Sequence, residues 1–336
     1  MIGLILVRLK RRKIMNRIIE FIKNISPLNN RTNMPKILYI IKAVLLFYFC
    51  KLSGELIGEG IVMLIHFACG KNPLQGEMFD VITITLMTYF GYSIMLVIIM
   101  IIWKLFQKKT LAELGVTKQV GHYLIGMAVG AVLVVVSALA VVLTGSIDYA
   151  GMFPDADIPL VALFFFAFIF QGAFEEFLCR GVVLQLLRKK TSLPVAVAVS
   201  TALFIAPHIS KMINDRSLIM VFAMINTALI SLIFSFLTIR FNNIWAACGM
   251  HTVWNFILYN VMGLNLSGND GMTVAVFDMR SVGTGILNGG EYGIEASAVT
   301  TVVLSLALIV CFIFSRKRAS NGKTQQSLHN GKCVVI

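Results

Sequence analysis

Eight long apolar segments constrain the fold of this chain more than any other feature. They run over residues 37–67, 79–103, 122–144, 158–187, 193–209, 218–239, 243–263 and 296–315. About 20 predominantly apolar residues are needed for a helix to cross the hydrocarbon core of a bilayer. Charged residues make up only 13% of the chain, whereas they make up about 25% of a soluble domain. The sequence therefore predicts an all-α fold, a polytopic membrane bundle of about eight transmembrane helices.

The apolar segments and the stretches between them suggest six regions. We expect a basic amphipathic leader at 1–36, N-terminal transmembrane helices at 37–157, a core of transmembrane helices at 158–263, an outer loop at 264–295, a last transmembrane helix at 296–315 and a basic tail at 316–336. Isoleucines at helical spacing among basic residues in the leader are typical of a helix on an anionic leaflet. The outer loop is rich in Gly, Asn and Ser, which predicts a flexible segment. The first apolar segment is expected to be tilted, or broken near Gly54 and Gly58.

The distribution of basic residues predicts the orientation in the membrane. With a cytoplasmic N-terminus, the inner segments hold 22 of the 29 lysines and arginines and the outer loops hold four. Cytoplasmic loops are enriched in Lys and Arg. We therefore expect a multi-pass protein of the cell membrane with both termini in the cytoplasm and the 145–157 and 264–295 loops outside. The net charge of +13 then reflects topology, and the lipid bilayer, not nucleic acid, is the expected partner.

One polar stretch interrupts the fourth apolar segment, namely Gln171-Gly-Ala-Phe-Glu175-Glu176-Phe-Leu-Cys-Arg180. Each charged residue at membrane depth costs roughly 2.5 to 3.5 kcal/mol on insertion scales. At about 100° per residue, Glu176 and Arg180 share one helix face, whereas Glu175 points elsewhere. Glu175 is then available as a general base or acid. The alternative is a structural ion pair that fixes one helix to its neighbours.

Two further polar sites follow in later apolar segments. His208 ends the fifth segment, and His251 and Asn255 lie one helical turn apart in the seventh. At 1.5 Å per residue, Glu175, His208 and His251 lie about 20, 27 and 17 Å from the nearest inner charge. Three helices can therefore bring a carboxylate, two imidazoles and a carboxamide into one buried cavity. Such groups can activate water and stabilise an oxyanion.

Together these residues resemble the motif set of a known family. In chain order the motifs are Glu175-Glu176-x-x-x-Arg180, Phe204-x-x-x-His208 and His251-x-x-x-Asn255. They resemble the three motifs of the CPBP family, the type II CAAX prenyl endopeptidases and bacteriocin-processing or immunity proteins, also called Abi proteins. The resemblance covers residues 158–263 and implies an all-helical intramembrane protease. It also implies that Glu176 and Arg180 organise the site.

The resemblance implies roles for the other four motif residues. Glu175 activates the attacking water with help from His208. His251 and Asn255 face the scissile carbonyl. The substrate is then a membrane-associated or C-terminally modified peptide, cleaved within the membrane.

A metal is the open question about this site. A catalytic zinc takes three protein ligands, which Glu175, His208 and His251 could supply. The chain has no HExxH helix, which is the paired-histidine signature of zinc hydrolases. Asn255 is a poor zinc ligand but a good oxyanion donor. We therefore expect metal-free water activation, with zinc as the alternative.

Two functions other than proteolysis remain open. The first is a non-proteolytic bacteriocin self-immunity factor or membrane scaffold with the same fold. The intact motif set favours an enzyme, because a scaffold does not need a charged pair and two imidazoles at membrane depth.

The second alternative function is a transporter with a proton relay. A transporter would favour inverted repeats, and the first half of the chain has no matching motif.

Overall fold

Helices make up most of the fold, as the sequence predicts. The computed structural model describes residues 2–209, 217–269, 274–283 and 285–330. Its long helices are α1 (Ile2–Ile25), α2 (Lys36–Ala68), α3 (Val81–Leu105), α4 (His122–Val142), α5 (Ile158–Leu187), α6 (Leu193–His208), α7 (Leu218–Phe241), α8 (Trp245–Phe256) and α9 (Ala298–Asn330). A π-helical segment, Phe177–Leu184, lies within α5, and a second, Ile257–Val261, extends α8.

Helices occupy all eight predicted apolar segments, from α2 to α9. Among the described residues, α2, α3, α4, α5 and α7 are long and apolar enough to cross a membrane, whereas α6 and Ala298–Phe314 of α9 are shorter apolar helices. The polytopic helical bundle is therefore confirmed. The break considered near Gly54 and Gly58 is wrong, because α2 runs without interruption for 33 residues. The expected tail at 316–336 begins within α9, and its residues 331–336 lie outside the described part of the chain.

The basic leader forms the predicted helix, α1, whose Ile14, Ile18 and Ile22 are exposed. The connection from α1 to α2 is held by Lys42, whose Nζ donates to the carbonyl of Arg31 at 2.8 Å. Lys42 is buried, and its Nζ also donates to Asn29 Oδ1 at 2.9 Å, so hydrogen bonds within the protein replace water around its ammonium. Contact of α1 with an anionic leaflet remains a prediction.

A small antiparallel sheet, which the sequence did not predict, joins the two expected outer loops. Strand β1 (Ile147–Met152) pairs with β2 (Phe277–Ser281), and Ile147 lies opposite Ser281. The 264–295 loop is packed against the bundle, since Leu264 and Ile294 are buried. The expectation of a flexible loop is therefore wrong for its described residues. Apolar side chains spaced among its glycines and asparagines provide the burial that holds it.

At the other end of the bundle, predicted inner loops contact one another. Arg188 donates to Asn242 at 2.7 Å, and Trp245 Nε1 donates to the carbonyl of Thr117 at 2.8 Å. The two sets of loops thus lie at opposite ends, as the charge distribution requires. Which end faces the cytoplasm remains a prediction.

Small residues hold α8 close to α4 and thereby position the polar side chains of α8. A Cβ atom on Gly126 of α4 would lie 1.9 Å from the carbonyl oxygen of Ala246. A Cβ atom on Gly249 of α8 would lie 2.0 Å from the carbonyl oxygen of Tyr123. Only glycine permits this approach of two backbones, a common feature of helix contacts in membranes. The Tyr123 hydroxyl also donates to Thr252 Oγ1 at 2.8 Å, which fixes the rotation of α8.

Candidate active site

The three motifs meet at one cavity of about 320 Å³ between α3, α5, α6, α7 and α8. Its lining includes the four residues expected to carry the chemistry, namely Glu175, His208, His251 and Asn255. Glu176 and Arg180 are fully buried and, through His251, adjoin the wall of this cavity. The convergence expected from the depth of the motifs is therefore seen in the structure.

The buried pair Glu176–Arg180 is formed as predicted, with Arg180 Nη1 3.0 Å from Glu176 Oε1. Arg180 Nη2 also donates to Ser231 of α7, at 2.9 Å to the carbonyl and 2.7 Å to the hydroxyl. The guanidinium carbon lies 4.6 Å from the ring centre of Phe204 and 5.1 Å from that of Phe234. Arg180 thus fixes α5 to α6 and α7 through charge, hydrogen bonds and ring contacts.

The helix that carries this pair departs from α geometry directly after Glu176. Residues Phe177–Leu184 are π-helical, so the 100° per residue used for the sequence does not hold there. The hydroxyl of Ser200 donates to the carbonyl of Cys179 at 2.8 Å, which satisfies a backbone acceptor within the π segment. Such segments are rare and frequently occur at functional sites. The pairing was predicted correctly because Arg180 still lies about one turn from Glu176.

His251 lies between the two adjacent glutamates, which the sequence did not predict. Its Nδ1 is 3.1 Å from Glu176 Oε1, and its Nε2 is 3.9 Å from Glu175 Oε2. Glu176 Oε1 already accepts from Arg180, so the carboxylate is the acceptor and His251 Nδ1 is the donor. The ring of Phe234 stacks on the imidazole at 5.0 Å and 16°. These contacts orient His251 with Nε2 towards Glu175 and the cavity.

Gln171 connects the remaining two motif residues and was not among the predicted site residues. Asn255 Nδ2 donates to Gln171 Oε1 at 2.8 Å, and Gln171 Nε2 donates to Glu175 Oε1 at 2.8 Å. Gln171 and Glu175 are spaced i, i+4, and this spacing was the signal in the sequence that could have identified it. Glu175 keeps 28% of its side chain accessible, whereas Glu176 has none. Glu175 is therefore the carboxylate that a substrate can reach.

His208 lies in the 3₁₀ turn Ala206–His208 at the end of α6. It is partly buried and lines the cavity together with Glu175. Its ring centre is 6.0 Å from that of Phe204. The residues that follow it, 210–216, lie outside the described part of the chain.

Residues from other parts of the chain complete the walls of the site. Tyr89 and Tyr92 of α3 line the cavity, as do Ser267 and Glu295 of the outer loop. The sequence did not indicate these residues, because nothing local links them to the motifs. A second cavity of about 110 Å³ shares Glu175, Tyr92, Phe204 and Pro207 with the first and is also lined by the ion pair Lys51–Glu55.

The donor set does not fit a three-ligand zinc centre. Within the described part of the chain, no group of three or more His, Cys, Asp or Glu side chains is placed to hold a metal ion. Glu175, His208 and His251 share the cavity wall without forming such a group, and His251 Nδ1 is taken by Glu176. We therefore derive no step through zinc. Metal dependence stays a prediction.

Comparison with family models gives a match over residues 157–257 to the Rce1-like type II CAAX prenyl endopeptidases. Neither the curated proteins nor the solved structures give a match. The matched residues contain all three motifs, and the apolar helices are those of a multi-pass membrane protein. The match supports the family expected from the motifs: residues 157–257 of this chain are similar to the Rce1-like type II CAAX prenyl endopeptidases.

Proposed function

We propose that this chain is an intramembrane endopeptidase that hydrolyses a peptide bond of a membrane-associated or C-terminally modified peptide. The observation that carries the proposal is the placement of Glu175, His208, His251 and Asn255 on the wall of one cavity. A cavity of about 320 Å³ falls in the size range of small-molecule binding sites. It can therefore admit a short stretch of peptide around one scissile bond.

In the proposed reaction Glu175 takes a proton from a water molecule, which His208 helps to position. The water oxygen attacks the carbonyl carbon and forms a tetrahedral oxyanion. Glu175 then delivers that proton to the nitrogen as the C–N bond breaks, so that an amine and a carboxylic acid leave. The accessible, hydrogen-bonded carboxylate of Glu175 supports this role, because a general base must reach the water it deprotonates.

The oxyanion is proposed to accept hydrogen bonds from Asn255 and His251. Asn255 Nδ2 carries two protons, and Gln171 takes one of them, which leaves one for the substrate. His251 donates through Nδ1 to Glu176, so Nε2 bears a proton only in the imidazolium form. The carboxylates of Glu176 and Glu175 lie 3.1 Å from Nδ1 and 3.9 Å from Nε2, so the proposed donor is the imidazolium, flanked by both. A charged donor aimed at the developing oxyanion is more effective than a neutral one.

The buried pair is proposed to act through His251 and to have no contact with substrate. Glu176 sets the orientation of the imidazole, and Arg180 holds Glu176 in place. This is the organising role that the family resemblance implied for both residues. Carboxylates that orient a catalytic histidine have the same function in serine hydrolases.

The test is cleavage by purified protein in liposomes, with mass spectrometry of the products. The probes are a synthetic peptide with a prenylated cysteine followed by three C-terminal residues, and a defined mixture of transmembrane peptides. Wild-type protein should cleave at least one probe, and Glu175→Gln, which keeps the Gln171 contact, should cleave none. Folded wild type without activity on any probe would favour a non-proteolytic role such as immunity or scaffolding.

A further inference from the structure

The outer loop places one carboxylate, that of Glu295, in the wall of the candidate active site. Glu295 lies in the 3₁₀ turn Ile294–Ala296, directly before α9, and lines the cavity that contains Glu175. Ser267, from the start of the same loop, lines it as well. Two residues of the outer loop therefore form part of the cavity wall.

The Glu295 carboxylate is held by three hydrogen bonds from neutral donors. Trp254 Nε1 donates to Oε1 at 2.9 Å, and the backbone nitrogen and hydroxyl of Ser267 donate to Oε2 at 2.7 and 2.8 Å. The backbone is fixed too, because Asn226 Nδ2 donates to the carbonyl of Glu295 at 2.9 Å. Its orientation is therefore determined before any substrate binds.

All three donors are neutral groups, so none of them acts as a counter-ion for the carboxylate. Among the described residues, no Lys or Arg forms an ion pair with Glu295, and none lines the cavity. A carboxylate offers about four acceptor positions, of which three are used here. A fixed negative charge with remaining acceptor capacity favours a cationic hydrogen-bond donor.

Glu295 is also close to the part of the site that is proposed to hold the scissile carbonyl. Its partner Trp254 lies on α8 between His251 and Asn255, with its indole buried. Consecutive Cα atoms are about 3.8 Å apart, so a cavity of about 320 Å³ holds only a few residues of an extended peptide. A group bound at Glu295 must therefore belong to a residue near the scissile bond.

We propose that Glu295 is a specificity-determining residue that binds a cationic nitrogen of the substrate within a few residues of the cleaved bond. The proposal rests on the proposed function and names its substrate class. The cation is a lysine or arginine side chain or a free peptide amino terminus, since both present charged N–H donors. Charge-assisted hydrogen bonds of this kind stabilise binding enough to favour a cationic over a neutral peptide by about tenfold or more.

The test compares peptides that differ at one position, with lysine or the uncharged isostere norleucine placed in turn near the cleaved bond. A second pair differs only in a free or acetylated amino terminus, which separates the two sources of the cation. Wild type should prefer the cationic member by about tenfold in kcat/KM, mainly through KM. Glu295→Gln should reduce the preference to about twofold or less. Glu291→Gln, an exposed carboxylate of the same loop, is the matched control and should keep it.

Binding gives a second readout that does not depend on cleavage. In a Glu175→Gln background, the cationic peptide should bind about tenfold more tightly than its neutral partner, and adding Glu295→Gln should abolish the difference. Equal cleavage and equal binding of both peptides by protein with Glu295 would overturn the proposal and leave the proposed function intact. An equal loss for both peptides in Glu295→Gln, with a lowered Tm, would assign Glu295 a structural role instead. Absence of all cleavage would count against the proposed function, and the binding comparison would still decide the role of Glu295.

Discussion

Glu176 Oε1 lies 3.1 Å from His251 Nδ1, and this contact links the helix of the first motif to the helix of the third. The same oxygen accepts from Arg180 at 3.0 Å. One carboxylate oxygen therefore holds both a guanidinium and an imidazole in a fully buried position. Its neighbour Glu175 faces the cavity, so two adjacent glutamates of one helix have different environments and, we propose, different functions.

The first prediction separates the two glutamates by stability. Arg180→Ala and Glu176→Ala should each lower the free energy of unfolding by about 3 to 5 kcal/mol, because each leaves a buried charge without its partner. Glu175→Gln should unfold near the wild-type temperature and lack activity. Thermal unfolding in detergent, with cleavage measured on the same preparations, is the readout. Equal stability of the three variants would show that the buried pair is not structural.

The second prediction concerns the contact between α4 and α8. Gly126→Ala should lower stability by about 1 to 3 kcal/mol, the usual cost of overpacking, because the added Cβ would lie 1.9 Å from the carbonyl oxygen of Ala246. Activity should fall as well, since α8 carries His251 and Asn255. Gly91→Ala is the matched control: no atom lies within 4 Å of its Cβ position, and the better helix propensity of Ala favours it. A Gly126→Ala protein with unchanged Tm and activity would contradict the close contact.

The third prediction is the orientation in the membrane. In a variant without native cysteines, Ser281→Cys should react with an impermeant maleimide on intact cells, because β2 belongs to the predicted outer end. Lys118→Cys, exposed at the opposite end, should react only after permeabilisation. The reverse pattern would invert the topology inferred from the basic residues.

The fourth prediction follows from a surface carboxylate in the connection between α3 and α4. A hydrogen bond from Lys189, followed by one from the backbone of Thr110, lowers the pKa of Glu113 to about 2. A lowered pKa stabilises the folded state above the ordinary pKa of 4.5, and this contribution is lost as the pH falls from there towards 2. The side chain is 35% accessible, so solvent screening limits the contribution to about 1 kcal/mol. Glu113→Gln should therefore have a lower Tm than wild type at pH 7, and the difference should shrink as the pH falls from 4.5 through about 2. A Tm difference that stays undiminished over this range would assign the effect to packing.

The fifth prediction is that cleavage does not require zinc. Activity should survive strong chelation, and elemental analysis of the active protein should find less than one zinc per chain. One zinc per chain, with activity lost on chelation and restored by zinc, would mean that Glu175 and His251 are ligands and that their proposed roles are wrong. The experiment is motivated by the contact of His251 Nδ1 with Glu176, because a ring nitrogen that donates a hydrogen bond is not available to bind a metal.

Contacts between residues of one helix could be predicted from the sequence, whereas contacts between different helices could not. The ion pair Glu176–Arg180 and the shared face of His251 and Asn255 were predictable, because residues three or four apart on one helix are neighbours. Counting 1.5 Å per residue along each helix predicted that the three motifs lie near one another, and they meet at one cavity. The π-helical segment after Glu176 was not predicted, because it depends on partners in other helices, such as Ser200.

The sequence alone determined that this chain is a bundle of membrane helices with three polar motifs on three of its apolar helices, because length, hydropathy and spacing along one helix are local properties. Only the tertiary structure decided that His251 lies between Glu175 and Glu176, and that Glu295 reaches the cavity. These outcomes depend on the rotation of each helix about its axis and on the path of a loop. Both are set by contacts between residues far apart in the chain, such as the approach of Gly126 to Ala246, which no local pattern encodes.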